Sequence, residues 1–298
     1  WGAGQDGQLG QNDTLYRSSP TQVGTDTTWS SVFSGAQNGI ATKTDGTLWA
    51  WGRNEYGTLG QNNTTNYSSP KQIPGTTWST SNIDHFGGSE ENPIVIKTDG
   101  TLWSWGLGTN GQLGQNNQTN YSSPIQIGTG TDWNSVGQTG RYNVGATKTD
   151  GTLWIWGAGG YGQNGQNNET QYSSPTQVPG TTWKLVATSS FSSLATKTDG
   201  TLWIWGRNQY GQLGQNNETN YSSPVQVPGT TWDRPYSFNS YVGAIKNDGT
   251  LWVWGNGGSG KTAQNNTVEY SSPVQIPGAW NAFYGVSAGN GSMGIKQV

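Results

Sequence analysis

Apolar and polar positions along the chain follow one scheme that returns about every fifty residues, a period that belongs to repeat architectures. Within Thr47-Leu48-Trp49-Ala50-Trp51 the side chains alternate, Trp49 and Trp51 pointing to one face and Leu48 and Ala50 to the other. Both faces are apolar, so the pattern predicts a strand covered on both sides. Thr-Asp-Gly precedes it at 44–46 and recurs at 98–100, 149–151 and 198–200, with Asn-Asp-Gly at 247–249. Asp-Gly between two β-rich runs is a hairpin signal, because Gly tolerates positive φ. Further on, Ser-Ser-Pro followed by Val-Gln-Val at 222–227 reads as an outer strand, where a proline at the start costs no ladder bond. No segment sustains a 3.6-residue period, so almost no helix is expected.

Trp-Gly pairs at Trp1, Trp51, Trp105, Trp156, Trp205 and Trp254 mark six units. Each carries three tryptophans, two in Leu-Trp-x-Trp-Gly and one in Gly-Thr-Thr-Trp. Six full units would hold eighteen, and the chain has 17. The absent one is the first Trp of the motif that would precede Trp1. Gly294-Ile295-Lys296-Gln297-Val298 aligns with Ala244-Ile245-Lys246-Asn247-Asp248, so the two ends are expected to meet in one blade. The fold expected for 1–298 is a single all-β domain, a six-bladed β-propeller of four-stranded blades. A chain that begins at Trp1 rather than Met reads as processed or as part of a longer polypeptide.

The unit Trp-Gly-x-Asn-x-Tyr-Gly-Gln-Leu-Gly-Gln-Asn-Asn-x-Thr-x-Tyr-Ser-Ser-Pro, repeated along the whole chain, resembles the regulator-of-chromosome-condensation repeat. Its particular wording, Lys-Thr-Asp-Gly-Thr-Leu-Trp-x-Trp-Gly, is similar to repeats of marine bacteriophage virion proteins. The family resemblance implies a propeller, usually of seven blades. Its founding member is an exchange factor for a small GTPase with histidines in many blade loops. The matching stretches here, 34–39, 137–143 and 188–193, hold none, so exchange activity is not implied. The Gly-Trp-Arg-His-Thr motif of a plant ultraviolet photoreceptor with the same repeat is also missing.

Only 10% of residues are charged and 30% hydrophobic, so 17 Trp, 13 Tyr and 5 Phe must supply the core area. A net charge of −3 with scattered basic residues gives no footprint for nucleic acid or an anionic membrane. No apolar run reaches ~18 residues, so no membrane insertion is expected. The chain has no Cys, hence no disulfide or thiolate chemistry. The neutral Asn-, Gln-, Ser- and Thr-rich surface suggests a virion or extracellular location.

Some motifs point to chemistry without its context. Residues 255–262 match the P-loop pattern Gly-x-x-x-x-Gly-Lys-Thr, but the stretch is this unit's copy of the repeat loop and no helix is expected after it. The Gly-x-Gly-x-x-Gly matches at Gly2 and Gly106 are the same loop. Tyr67, Tyr121, Tyr172, Tyr221 and Tyr270 either form a sugar-stacking ring or, the favoured reading, pack locally and hydrogen-bond through their hydroxyls. The Gln-Asn-Asn stretches are expected to cap loops through side-chain-to-backbone bonds.

Function is expected where units differ. The differences lie at 34–39, 81–93, 137–143, 188–193, 235–242 and 284–292, equivalent loops that should gather on one face. The candidate contact residues are Asp84, His85, Phe86, Glu90, Glu91, Arg141, Tyr142, Phe191, Tyr236, Phe238, Tyr241 and Tyr284. Asp84, His85, Glu90 and Glu91 have the atoms for a metal or acid–base site, but no second His or Cys completes a set, and a solvated polar loop is the favoured reading. Tyr and Arg are what binding hot spots favour. No catalytic residues, metal or cofactor are expected. The expected role is binding: adhesion in a virion or extracellular assembly, through a host glycan or protein or through other subunits. The alternatives are a regulator that binds a GTPase-like protein and, behind it, a polysaccharide-active enzyme, which would need paired carboxylates.

Overall fold

The computed structural model describes residues 1–34, 37–79, 83–89, 91–137, 140–285 and 292–296. Among them, helix is confined to two short 3-10 turns, Ile83–His85 and Gly258–Gly260. Everything else regular is antiparallel meander. The first sheet holds β1 (Trp29–Ser34), β2 (Asn38–Lys43), β3 (Leu48–Gly52) and β4 (Tyr67–Ile73). The second holds β5 (Phe86–Ser89), β6 (Asn92–Ile96), β7 (Leu102–Gly106) and β8 (Tyr121–Gln126). The third holds β9 (Trp133–Val136), β10 (Asn143–Lys148), β11 (Leu153–Gly157) and β12 (Tyr172–Val178). The fourth holds β13 (Trp183–Thr188), β14 (Ser192–Lys197), β15 (Leu202–Gly206) and β16 (Tyr221–Val227). The fifth begins with β17 (Trp232–Ser237), β18 (Tyr241–Lys246) and β19 (Thr250–Gly255), and ends with β20 (Tyr270–Gly285) and β21 (Ser292–Lys296).

Among the described residues five sheets are seen where six blades were expected. Within them the sixth unit is joined by its strands to the fifth sheet through β20. Its first two strands are the second half of β20, paired with β21, and its Trp-Gly end is a bridge between Gly2 and Arg17 at the other end of the chain. The reason β20 runs on without a break is visible in the sequence. Three other units turn at Pro-Gly-Thr-Thr-Trp, with Thr77, Thr182 and Thr231 at φ between 70° and 75°, and the first and third have longer links, 24–29 and 128–133. Here the link is Pro277-Gly278-Ala279-Trp280, one residue shorter, and no positive-φ threonine separates the strands. Trp1 is 74% exposed, whereas its equivalents from Trp51 to Trp254 are all buried.

Each residue of the Thr-Asp-Gly-Thr-Leu-Trp run has a task. Gly46 sits at φ 82° and closes the turn by donating to the Lys43 carbonyl. The Asp45 carboxylate accepts from the Thr47 N–H at 3.0 Å and from its hydroxyl at 2.7 Å. The same hydroxyl accepts the Trp49 indole N–H at 2.8 Å. Identical chains run through Asp99, Asp150, Asp199 and Asp248. Leu48, Leu102, Leu153, Leu202 and Leu251 are fully buried on the other face of the strand.

The third tryptophan opens the first strand of its sheet at Trp29, Trp133, Trp183 and Trp232 and stands in an isolated bridge to Lys97 at Trp78. In these five units its ring meets the other two edge-on or tilted. Trp78 lies 6.2 Å from Trp103 and 5.9 Å from Trp105, in T-shaped contacts. The lysine before the turn covers this pair: Lys97 Nζ is 4.5 Å from the Trp78 ring and 4.1 Å from that of Trp103. Lys43, Lys148, Lys197 and Lys246 repeat the arrangement.

Successive sheets are clipped together by the loop after the Trp-Gly pair. The indole N–H of Trp105 donates to the Thr58 carbonyl of the preceding unit at 2.8 Å, and Trp51, Trp156 and Trp205 reach Gln8, Gln112 and Gln163 in the same way. Asn62 N–H donates to Ser122 of the next sheet's outer strand, a bond that recurs from Asn12, Asn116, Asn167 and Asn216. Within the loop, Gln61 donates to the Leu59 and Gln72 carbonyls, and the Asn63 amide donates to the Tyr67 hydroxyl at 3.1 Å. Tyr121, Tyr172, Tyr221 and Tyr270 are held likewise, so these tyrosines are local struts rather than a sugar-stacking ring. The P-loop lookalike is also repeat loop: Thr262 is buried, and turns and bends follow it.

Two outcomes test this account. Trp254 occupies the place of Trp205, but its indole N–H has no acceptor. Trp205→Phe should therefore destabilise the chain by about 1 kcal/mol more than Trp254→Phe in urea unfolding. The second concerns acid. Hydrogen bonds from the paired threonine, hydroxyl first and then backbone N–H, hold Asp45, Asp99, Asp150, Asp199 and Asp248 below the ordinary value of 3.8. A depressed carboxylate contributes stability that is full above its unfolded pKa and is lost as pH falls through the folded values. Urea midpoints should fall steeply below about pH 4, as these carboxylates, with Asp13 and Asp26, take up protons on unfolding.

Candidate functional site

Five of the six variable hairpins occupy equivalent places, and the sixth, 284–292, lies largely outside the described residues. In each sheet the residue after Trp-Gly donates its N–H to a hairpin carbonyl: Arg53 to Gln37, Leu107 to Glu91, Ala158 to Tyr142, Arg207 to Phe191 and Asn256 to Ser240. The connection between the first two strands thus lies beside the long loop after the third strand, at the end of the sheet opposite the Asp-Gly turns. This end is the hairpin face.

On it, two clusters join side chains from successive sheets. Arg141 of the third sheet forms an ion pair with Glu91 of the second, with the guanidinium 5.6 Å from the Tyr142 ring centre. Tyr56, on the first sheet's long loop, borders the same region, in a shallow pocket with Arg53, Glu55 and Glu91. In the second cluster, Tyr161 of the third sheet meets Phe191 of the fourth edge-on at 5.5 Å. Arg207 lies over both rings, 5.0 Å from one centre and 5.1 Å from the other. Arg141 is exposed and the rings are half-buried, so the arc from Tyr56 to Arg207 presents cationic and aromatic surface held in fixed geometry.

The remaining expected residues divide differently. Phe86, Tyr236, Phe238 and Tyr241 are each at most 6% exposed, which corrects their reading as surface contacts. Phe238 stacks on Tyr241 at 4.5 Å and meets Phe283 edge-on at 5.5 Å, closing the fifth hairpin with its own aromatic plug. Glu90 lies outside the described residues, and so does the side chain of Tyr284. The acidic-histidine set is not brought together. Asp84 pairs with Arg234 at 3.1 Å, Glu91 with Arg141, and His85 Nδ1 lies 2.9 Å from Ser79 Oγ. Burial pushes the His85 imidazole below its ordinary value, against the raising effects of Asp84 and of Asn134. Among the described residues, no group of three or more His, Cys, Asp or Glu side chains could hold a metal ion.

A second feature is a cavity of about 260 Å³ where the first strands of the second to fifth sheets converge with the second half of β20. Asp84 and Arg234 enter it from the second and fifth units, 150 residues apart in sequence. Sequence reasoning missed Arg234, Arg53, Tyr56, Tyr161 and Arg207, since they sit in segments read as scaffold. The signal was present: the residue after Trp-Gly changes from Arg to Leu, Ala, Arg and Asn between units whose surroundings barely change.

The chain matches the repeat model described as "Regulator of chromosome condensation (RCC1) repeat" over residues 1–41, 45–81, 99–137, 150–196 and 199–232. Human E3 ubiquitin-protein ligase HERC2 is 30% identical over 110 residues, which are 36% of this chain and 2% of that protein. Ultraviolet-B receptor UVR8 of Arabidopsis thaliana is 29% identical over 185 residues, 61% of this chain and 42% of the receptor. The chain thus spans less than half of either relative. Among solved structures, human WBSCR16 superposes with a TM-score of 0.76 at 20% identity, covering 95% of this chain and 77% of that one. Yeast RCC1 (Prp20), solved bound to Kap60, gives 0.73 at 18% identity, covering 90% and 66%. These structures share the fold of repeated four-stranded blades, and the repeat matches carry the relationship: the chain belongs to the regulator of chromosome condensation (RCC1) repeat family.

Proposed function

We propose that this chain is a non-enzymatic protein-interaction module of regulator type, which holds a protein partner on its hairpin face. The observation that carries the reading is the arc formed by Tyr56, Arg141, Tyr142, Tyr161, Phe191 and Arg207. There, the Arg207 guanidinium lies over Tyr161 of the preceding sheet and Phe191 of its own, and that of Arg141 lies beside its neighbour Tyr142. Preorganised Arg and Tyr side chains lose little freedom on binding and are what protein interfaces concentrate. The relatives favour this reading over an adhesion module of a virion or extracellular assembly that grips a host glycan. Yeast RCC1 (Prp20) has been solved bound to Kap60, and a second structure of Prp20p is described with its binding to Gsp1p and histones, all of them proteins.

Quantitative co-purification from the cells that make the protein tests it, with the full chain and an Arg141→Glu/Arg207→Glu variant of unchanged melting temperature. A protein retained by the parent chain should be depleted at least about tenfold with the variant, a loss of 1.4 kcal/mol. Equal recovery by both, with saturable binding of the parent chain to a glycan panel, would overturn the reading in favour of adhesion.

A further inference from the structure

The cavity among the first strands has a composition that selects a ligand. Among the described residues its charged side chains are one cation and one anion, Arg234 and Asp84, 3.1 Å apart and 37% and 30% exposed. Asn281 adds an amide, and Phe86, Val136, Val186 and Pro235 supply apolar wall from four different sheets. At about 260 Å³ it is smaller than the 300–1,000 Å³ of ordinary drug-sized pockets, a size that suits a small ligand.

An ion pair this open to solvent contributes about 0–1 kcal/mol, so separating its partners costs little. What enters must nevertheless satisfy both charges. A lone carboxylate on Arg234 would meet Asp84, and a lone ammonium on Asp84 would meet Arg234. A molecule bearing both groups replaces one weak pair with two charge-assisted contacts, and its apolar body faces the Val, Phe and Pro wall. We propose that this cavity binds a small zwitterion with an apolar body, of the class of apolar α-amino acids, its carboxylate on Arg234 and its ammonium on Asp84.

This site is separate from the hairpin-face arc, and its test does not depend on a protein partner. Calorimetric titration of the full chain would compare L-phenylalanine with two analogues, phenethylamine, which lacks the carboxylate, and 3-phenylpropanoate, which lacks the ammonium. Phenylalanine should bind saturably, and each analogue at least about tenfold more weakly. Arg234→Gln should erase the advantage of phenylalanine over phenethylamine, and Asp84→Asn its advantage over 3-phenylpropanoate. Arg141→Glu/Arg207→Glu should change nothing. The proposal is overturned if neither phenylalanine nor L-leucine binds saturably at millimolar concentration, or if all three phenyl compounds bind alike. The analogue series on the parent chain decides the matter even where a variant fails to fold.

Discussion

The fold depends on one contact made again and again, the indole N–H of a Trp-Gly tryptophan reaching into the loop of the unit before it. Such a bond contributes only about 0.5–1.5 kcal/mol by itself, but it fixes how close two sheets come. The loop must lie almost on the indole, and it does so at glycine. A Cβ on Gly60 would stand 3.3 Å from Trp105 Nε1, and one on Gly57 would stand 2.4 Å from the Ser122 Cα of the next sheet's outer strand. Both glycines of Tyr-Gly-Thr-Leu-Gly therefore answer to a neighbouring sheet rather than to their own turn alone. An isolated unit would leave its loop without the indole and the outer strand that complete it. Stability in such an array belongs to the interfaces as much as to the units.

That division explains what the sequence made legible. Alternation of Leu and Trp about an Asp-Gly turn specifies strand, face and register locally, and β3, β7, β11, β15 and β19 follow it. The struts from Tyr67 and its counterparts to an asparagine four residues earlier are equally local, and were read in advance. The lysines over paired tryptophans were not. Their partners come from separate strands, and Lys-Thr-Asp-Gly looks like ordinary turn flank. The sixth unit shows the limit most plainly. Its place in the repeat count was evident, yet across the shorter link Pro277-Gly278-Ala279-Trp280 its first strand is continuous with the fifth unit's last.

Candidate contacts were legible by position but not by orientation. Equivalent spacing predicted the variable hairpins on one face, and the bonds from the residue after Trp-Gly hold five of them there. Whether an aromatic in a hairpin points out or in depends on what the neighbouring sheet offers. Phe191 finds Tyr161 beside it and stays half-exposed under Arg207. Phe238 and Tyr241 find each other and Phe283, and are buried. The letters are of one kind and the outcomes opposite.

The consequence is a face that is not rotationally uniform, although the scaffold beneath it nearly is. Repeat-constant residues are committed to the clips between sheets, leaving the hairpins and the position after Trp-Gly free to differ. Over the first four sheets these carry Arg53, Arg141 and Arg207 with Tyr142 and Phe191, beside Tyr56 and Tyr161 of the long loops. Over the fifth, the equivalent positions are Asn256 and the internal plug of Phe238 and Tyr241. A partner that reads this face meets its cationic and aromatic contacts along an arc rather than around a circle. One-sided contact fixes the partner's orientation, since rotating it by one sheet would move it off the arginines and onto a hairpin whose rings are already spent on the core.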